Sequence, residues 1–459
     1  MAKKRSPGCI PLHLNSRISP LSKSFSFQLH FVYSEKFLEI PSVALKLQNP
    51  KGILMKNIQP LRPLIDFGQL EEVAEHAANI VQQVRTNMLA PEARKSPPTF
   101  NSAQLAELCG IDKSKVGYAA KKGNLPSGSK DGSRLEWTLV ESRQWVREYK
   151  AENLRDPKLS AGVVVTVANF KGGVSKTTTA AALAQGLSLR GHRVLVIDTD
   201  PQGSLTTLFG VLPDTEVEED QTILPLCAGL TNSIMGAIRP TYWDGIDLVA
   251  AAPLLFNAEF LLPSRQKTEK GFEFWRVLDV GLEPAREEYD VIIIDTPPSL
   301  SYTTINALIA AQGVLMPLPP NALDFASSAQ FWNLFTEVCG GLFRTHGEDK
   351  KFYFVDVVLS RVDRSDVVSQ AVRQWIMNAY RGMVIPVEIP KTSIAATASA
   401  EFGTVYDMDQ SSAQAKTLKR ARDAYDQLVD YIEMQVAGIW ASDAESMQTR
   451  KEPAEGVEL

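Results

Sequence analysis

Val163-Val164-Val165-Thr166-Val167 is an unbroken run of β-branched residues. Behind it comes a loop holding Gly172 and Gly173, and then Lys176-Thr177-Thr178, which opens an Ala- and Leu-rich stretch to Leu189. No other feature restricts the chain so sharply. A strand with no polar alternation is buried on both faces, which calls for a parallel sheet covered by helices. A strand feeding a helix through a glycine loop is the start of a crossover unit, and its loop lies at the sheet edge where open α/β folds bind ligands. The expected fold is therefore α/β, a doubly wound and mostly parallel sheet. Successive backbone N–H groups and the helix N-terminus aim positive potential at a phosphate chain. Lys171, Gly172, Gly173, Val174, Ser175, Lys176, Thr177 and Thr178 are the candidate cradle. In it Lys176 would neutralise β/γ oxygens and the Thr177 hydroxyl would ligate Mg²⁺.

The strict loop pattern G-x-x-x-x-G-K-[ST] is not met. Phe170 stands at the first glycine and Ser175 at the last, and a second lysine, Lys171, precedes Lys176 by five residues. Two further strands decide the reading. Arg193 to Ile197 is apolar and ends in Asp198-Thr199-Asp200-Pro201-Gln202-Gly203. Tyr289 to Ile294 ends in Asp295-Thr296-Pro297-Pro298-Ser299. Carboxylates at the C-terminal ends of parallel strands face the ligand crevice, where they can hold Mg²⁺ through water and orient an attacking water. A single strand-end Asp is ordinarily a cap or turn former. Asp198, Asp200 and Asp295 beside a lysine-bearing phosphate loop are better explained as a site.

Ahead of this domain the texture differs. Met1 to Ser34 carries Lys3, Lys4, Arg5, Arg17 and Lys23 with no acid. That is the bias of a cleaved transit peptide, and also of an upstream stretch translated before a working start at Met55. Residues 1–54 are expected to be an extension without fixed structure. Leu70, Val73, Ala77, Ile80, Val84 and Met88 recur at steps of three and four, which predicts a helix over 67–90 with one apolar stripe. Its partner is either a second copy of the same helix or the domain that follows.

Residues 97–150 read as a compact unit of two short helices about a glycine turn. Ser102 is the candidate cap of the first helix, Cys109-Gly110-Ile111 the turn, and Asp112 the cap of a second helix ending at Gly123. Arg134 to Trp137 would belong to a strand pair, and Leu139 to Tyr149 to a closing helix. This order resembles the winged helix-turn-helix modules of regulators such as the MerR group. From Arg94 to Lys150 eleven Lys/Arg face six Asp/Glu, whereas the whole chain carries 48 against 53 and a net charge of −5. Local positive excess in an acidic chain is the footprint of a phosphate-backbone reader, or else of a plain solvated face. Lys113, Ser114, Lys115, Tyr118, Lys121 and Lys122 are the candidate DNA contacts.

Composition closes off other classes. At 44% hydrophobic and 22% charged the chain is too apolar to be disordered throughout, and no apolar run reaches the ~18 residues of a membrane span. Cys9, Cys109, Cys227 and Cys339 lie far apart in no metal-ligand spacing, which suits a reducing cytosol.

Lys171 to Thr178, Asp198 to Gly203 and Asp295 to Ser299 resemble the deviant Walker A, Walker A′ and Walker B motifs of the ParA/MinD ATPases. The serine variant Lys-Gly-Gly-Val-Ser-Lys is similar to that of the larger ParA proteins of plasmids and secondary replicons, as are Thr222 to Leu226 and Thr241 to Ala250. The likeness covers about Leu70 to Ile432. It implies a deviant P-loop ATPase domain over 160–440, preceded by a dimerising helix and a winged helix-turn-helix. It also implies ATP and ADP as ligands with Mg²⁺, and a homodimer in which Lys171 reaches the partner's nucleotide. Lys176 and Thr177 then match the P-loop lysine and metal ligand, Asp200 the residue orienting water, and Asp198 a position near the metal. Asp295 matches the Walker B acid, and Arg361 and Pro390 fall in segments that flank adenine. Expected partners are operator DNA, non-specific DNA and a ParB-type adaptor, in the cytoplasm on the nucleoid. Non-specific DNA would meet exposed cations among Arg361, Arg364, Lys391, Lys419 and Arg422. Residues 441–459 are polar and acidic, expected to be a disordered tail, and lack the basic amphipathic helix with which MinD proteins bind membrane. Two other readings stay open: a repressor whose DNA affinity is set by nucleotide, and an ATPase that positions a protein cargo.

Overall fold

The computed structural model describes residues 65–88, 95–131, 134–346, 349–392, 403–408 and 415–451. The extension expected over 1–54 lies outside them. The elements below belong to one compact unit, Asp66–Leu459.

Helix α1 (Phe67–Met88) carries the predicted stripe, and Leu70, Val73, Ile80 and Val84 on it are all exposed. A small unit follows: β1 (Phe100–Asn101), α2 (Ser102–Cys109), α3 (Lys113–Lys122), β2 (Ser129–Asp131), β3 (Arg134–Trp137) and α4 (Leu139–Tyr149). Its strands pair antiparallel in the order β1-β3-β2. The cap of α2 is Asn101, not Ser102. The Asn101 carboxamide accepts the Ala103 and Gln104 amides while Gln104 accepts the Asn101 amide, a reciprocal box that Ser102, already inside the helix, cannot make. Gly110 at φ +67 closes the turn, and Asp112 caps α3 through the Ser114 amide. Leu105, Val116, Trp137, Trp145 and Val146 form a separate small core in which both indole N–H groups donate to the Pro126 carbonyl.

The main sheet has eight strands: β4 (Val163–Val167), β5 (Val194–Asp198), β6 (Arg239–Pro240), β7 (Ile246–Val249), β8 (Val291–Asp295), β9 (Gly313–Leu318), β10 (Phe354–Val362) and β11 (Val384–Pro390). Their order is β11-β10-β9-β4-β8-β5-β7-β6, parallel throughout except at the β6–β7 edge. The order reverses about β4, so the loop after β4 opens at a switch point of the topology. Every residue of β4, β5 and β8 is buried, each apolar one contributing roughly 1.5–3 kcal/mol relative to exposure.

Counting helices of eight or more residues, those around the sheet are α5 (Lys176–Leu189), α6 (Ala258–Thr268), α7 (Tyr302–Ala310), α8 (Ala322–His346), α9 (Val367–Tyr380) and α10 (Ala415–Lys451). All of α5 except Thr177 and Thr178 is buried. On α10, Leu418, Ala421, Tyr425, Leu428 and Ile432 are buried in the apolar cluster that also holds Val429 and α5. Gly186 permits the approach of α10 to α5, since a Cβ there would lie 2.4 Å from Val429 Cγ2. The stretch expected as a disordered tail from 441 is helical as far as Lys451, because α10 is anchored by buried Ile439 and Trp440 and continues past them; residues 452–459 lie outside the description. Among the described residues no helix is long and apolar enough to cross a membrane.

Candidate functional site

β4, β8 and β5 end on one line. Val167 is level with Asp295, and Asp295 with Asp198, in the parallel registers. The loops leaving these ends are tied together: the Thr296 hydroxyl donates to the Val167 carbonyl at 2.9 Å, and the Thr199 amide and hydroxyl both donate to the Asp295 carbonyl. The Asp198 loop and the Asp295 loop therefore face the loop that enters α5.

That loop is bent by two left-handed residues, Gly173 at φ +75 and Ser175 at φ +76. Among the described residues no side chain caps the α5 N-terminus, so its first N–H groups remain for a ligand. The Lys176 side chain curls back so that Nζ donates to the Lys171 carbonyl at 3.0 Å. Neighbouring strands fix the rest. Asn169 accepts the Lys171 amide and donates to the Pro317 carbonyl, the Ser360 hydroxyl donates to the Val174 carbonyl at 3.0 Å, and Arg361 Nη1 donates to the Gly173 carbonyl at 2.7 Å.

The three acids are not equivalent. Asp198 is fully buried and already engaged: it accepts the Asp200 amide on one oxygen, and the Thr206 amide and hydroxyl on the other. Burial pushes its carboxyl up to about 7 against those bonds, and the Asp200 charge adds to the rise. It therefore anchors the Asp200 loop. Asp200 is half-exposed and accepts the Gln202 amide. Asp295 is fully buried, and among the described residues neither of its carboxylate oxygens finds a well-formed hydrogen bond. Burial, then the Asp198 charge, raises it well above the ordinary carboxylate range, with the Thr177 hydroxyl and the Lys176 ammonium pulling the other way. Lys176 is lowered by burial, with Asp295 and Asp200 opposing. Two orphaned carboxylate oxygens next to a buried ammonium and a threonine hydroxyl suit a hydrated divalent cation lying between acid and phosphate. Among the described residues no three His, Cys, Asp or Glu side chains form a cation cage on their own. Mg²⁺ fits that shortfall, since it usually keeps water and substrate oxygens among its ligands.

Lys171 to Thr178, Asp198, Asp200, Asp295 and Arg361 thus stand at one crevice. Pro390 is one strand farther out, level with Val362 at the end of β11. Lys171 is half-exposed, its Nζ 3.7 Å from Asp324 at the start of α8. Asp324 and Asn169 are contacts that sequence spacing did not single out as site residues, and a strand end close before each is the local signal; Ser360, inside β10, falls with Arg361 in the segment whose likeness is to one flanking adenine. The candidate DNA residues lie elsewhere, on α3, and all six are exposed. Lys122 Nζ stacks 5.1 Å over the Tyr118 ring, while the Ser114 hydroxyl is bonded to Asp112 and serves the cap.

A family profile described as an AAA domain matches residues 162–342. Protein SopA of Escherichia coli K12 is 29% identical over 334 residues, 70% of this chain and 84% of SopA. The structure of a protein titled "Partition Protein" superposes with a TM-score of 0.58 over 82% of this chain and 99% of that one, at 17% identity, a likeness of fold. The chromosome partitioning protein ParA of Caulobacter vibrioides is 30% identical over 265 residues, 57% of this chain but 92% of the relative. Identity at that level sustained over nearly a whole relative places the present sequence among its homologues: the chain belongs to the ParA family of partition ATPases.

Proposed function

We propose that the chain is an ATP-dependent DNA segregation ATPase, working as a homodimer in the cytoplasm on the nucleoid. ATP lies along the loop from Lys171 to Thr178, its phosphates on the free N–H groups of α5, with Lys176 neutralising the β/γ oxygens. Thr177 and Asp295 hold Mg²⁺, Asp198 keeping the adjoining loop in place. Bound there, Mg²⁺ supplies charge neutralisation for the phosphate oxygens. Arg361 and Pro390 border the base. Asp200 orients a water that attacks the γ-phosphorus as the bond to the β-phosphate oxygen breaks, giving ADP and phosphate. Lys171 serves the partner's nucleotide, so turnover depends on dimerisation, and no glutamate follows Asp295 to act as a strong base. Turnover is therefore slow until DNA and a ParB-type adaptor stimulate it.

The unit from β1 to α4 acts as a winged helix-turn-helix, with Lys113, Lys115, Tyr118, Lys121 and Lys122 meeting DNA and Ser114 holding the helix start. Through it the chain binds its own upstream DNA and represses its operon, while the ATP-bound dimer binds DNA non-specifically. The exposed stripe of α1 supports a second dimer contact. The observation that carries the reading is the pair of orphaned Asp295 oxygens beside Lys176 at the mouth of an uncapped helix. Its test is Lys176→Ala: nucleotide binding followed by fluorescence, and DNA-stimulated phosphate release, should both be lost. Unchanged turnover would remove the assignment.

A further inference from the structure

We infer that Arg143 ties the helix-turn-helix unit to the phosphate-loop helix, so that nucleotide at one end of α5 sets the position of α4 at the other. The inference rests on the nucleotide and DNA readings above. α5 starts at Lys176 and ends at Leu189, so it spans about 20 Å at 1.5 Å per residue. Its first turn is left open at the crevice. Its last turn is held by a side chain from α4. Arg143 Nε donates to the Ser188 carbonyl at 2.9 Å, and Nη2 to the carbonyls of His192 at 2.8 Å and Gly191 at 3.4 Å. Nη1 bonds the Asp244 carboxylate, and Arg147 reaches the Gly191 carbonyl as well. A guanidinium on the closing carbonyls of a helix meets the negative end of its dipole.

The seat is shaped for this group. Arg143 is 7% exposed, and a Cβ on Gly245 would fall 2.1 Å from its Cζ. Ser188 closes the far side, its hydroxyl donating to the Asp244 carbonyl at 2.7 Å. Lysine, a point charge on a flexible stem, cannot reproduce a fork shared among three carbonyls and a carboxylate.

Movement has few other outlets. α5 is packed along its length, with Val429 of α10 against Gly186, and a close-packed interior shifts as a rod instead of deforming. Beyond α4 the chain is pinned again: Arg155 Nε lies 2.9 Å from Asp290 Oδ1, whose other oxygen accepts the Arg193 amide at the head of β5. A shift of the first turn of α5 on phosphate binding is therefore delivered to Ser188–His192 and, through Arg143, to α4. By reciprocity, DNA that fixes the helix-turn-helix unit alters nucleotide affinity by the same factor.

Hydrogen exchange on the full chain tests this, without nucleotide and with ADP–Mg²⁺ or a non-hydrolysable ATP analogue. Nucleotide should slow exchange at residues 188–192 and along α4 by about tenfold or more in the wild type. In Arg143→Ala the slowing should persist at 171–178 and fall severalfold along α4, the Arg147 bond to Gly191 carrying what is left. Wild-type slowing confined to 171–189, or undiminished slowing of α4 in Arg143→Ala, would overturn the inference. Should Arg143→Ala not fold, Arg143→Lys carries the same two outcomes, and the wild-type arm decides by itself. In parallel, the ratio of upstream-DNA affinities with and without nucleotide should fall toward one in the variant. A chain that binds no upstream DNA would sink the operator reading, whereas the exchange result would still decide the tie.

Discussion

Ser175 sits in the left-handed region at φ +76, where a side chain costs roughly 1–2 kcal/mol, and it does so where the strict loop pattern has glycine. Ser175→Gly should raise stability to urea by roughly 0.5–1 kcal/mol, the strain relieved less the greater freedom of glycine in the unfolded chain. A loss of stability would show that the serine holds something the described contacts do not contain. The acids make a pH argument. Asp198 rises from 3.8 to about 7 and Asp295 rises also, so the folded state retains protons that the unfolded chain has released. Stability of the nucleotide-free chain therefore falls as pH climbs from about 4 through 7. Asp295→Asn copies the protonated form. Its melting temperature should exceed that of the wild type at pH 8, the gap closing toward pH 5, and its turnover should be lost; an equal gap at both pH values would contradict the burial argument. Lys176, Thr177 and the strand-end acids were legible in the sequence because each is fixed by spacing within one strand–loop unit. Asp324 was not, since the parallel pairing of β9 with β4 brings it to Lys171 across more than a hundred residues, and the hold of Asn169 was not, since it depends on the Pro317 carbonyl at the end of β9.

At the scale of elements, α3 presents its cations to solvent, so they are free to meet phosphates. Replacing Lys113 and Lys115 by alanine should weaken binding to upstream DNA and reduce the slope of log affinity against log salt by roughly two. An unchanged slope would move the DNA face to another element. The α5–α10 contact is a packing claim. Leu428→Ala, at a fully buried position, should cost roughly 2–5 kcal/mol of unfolding free energy. The expectation of a disordered tail from 441 missed how far α10 runs, because the polar turns after Trp440 lack the apolar period that betrays a helix. The cap of α2 was misjudged by one residue for a related reason: Asn101 and Ser102 are both good caps, and only the backbone decides which of them lies outside the helix.

For the whole molecule, the dependence of turnover on a second copy is the central expectation. Lys171→Ala should bind nucleotide yet lose ATP-dependent dimerisation in sedimentation; a variant that still dimerises with ATP would detach Lys171 from the partner's site. The sequence by itself determined the sheet class, the phosphate loop and the acid-ended strands, because β-branched runs, glycines and charges act through neighbours in the chain. Tertiary structure decided what surrounds them. It left the Asp295 oxygens orphaned, engaged Asp198 with Thr206, set Lys171 against Asp324 and seated Arg143 on the far end of α5. Those outcomes depend on which strands lie side by side and how closely helices pack, and a local pattern carries no record of either.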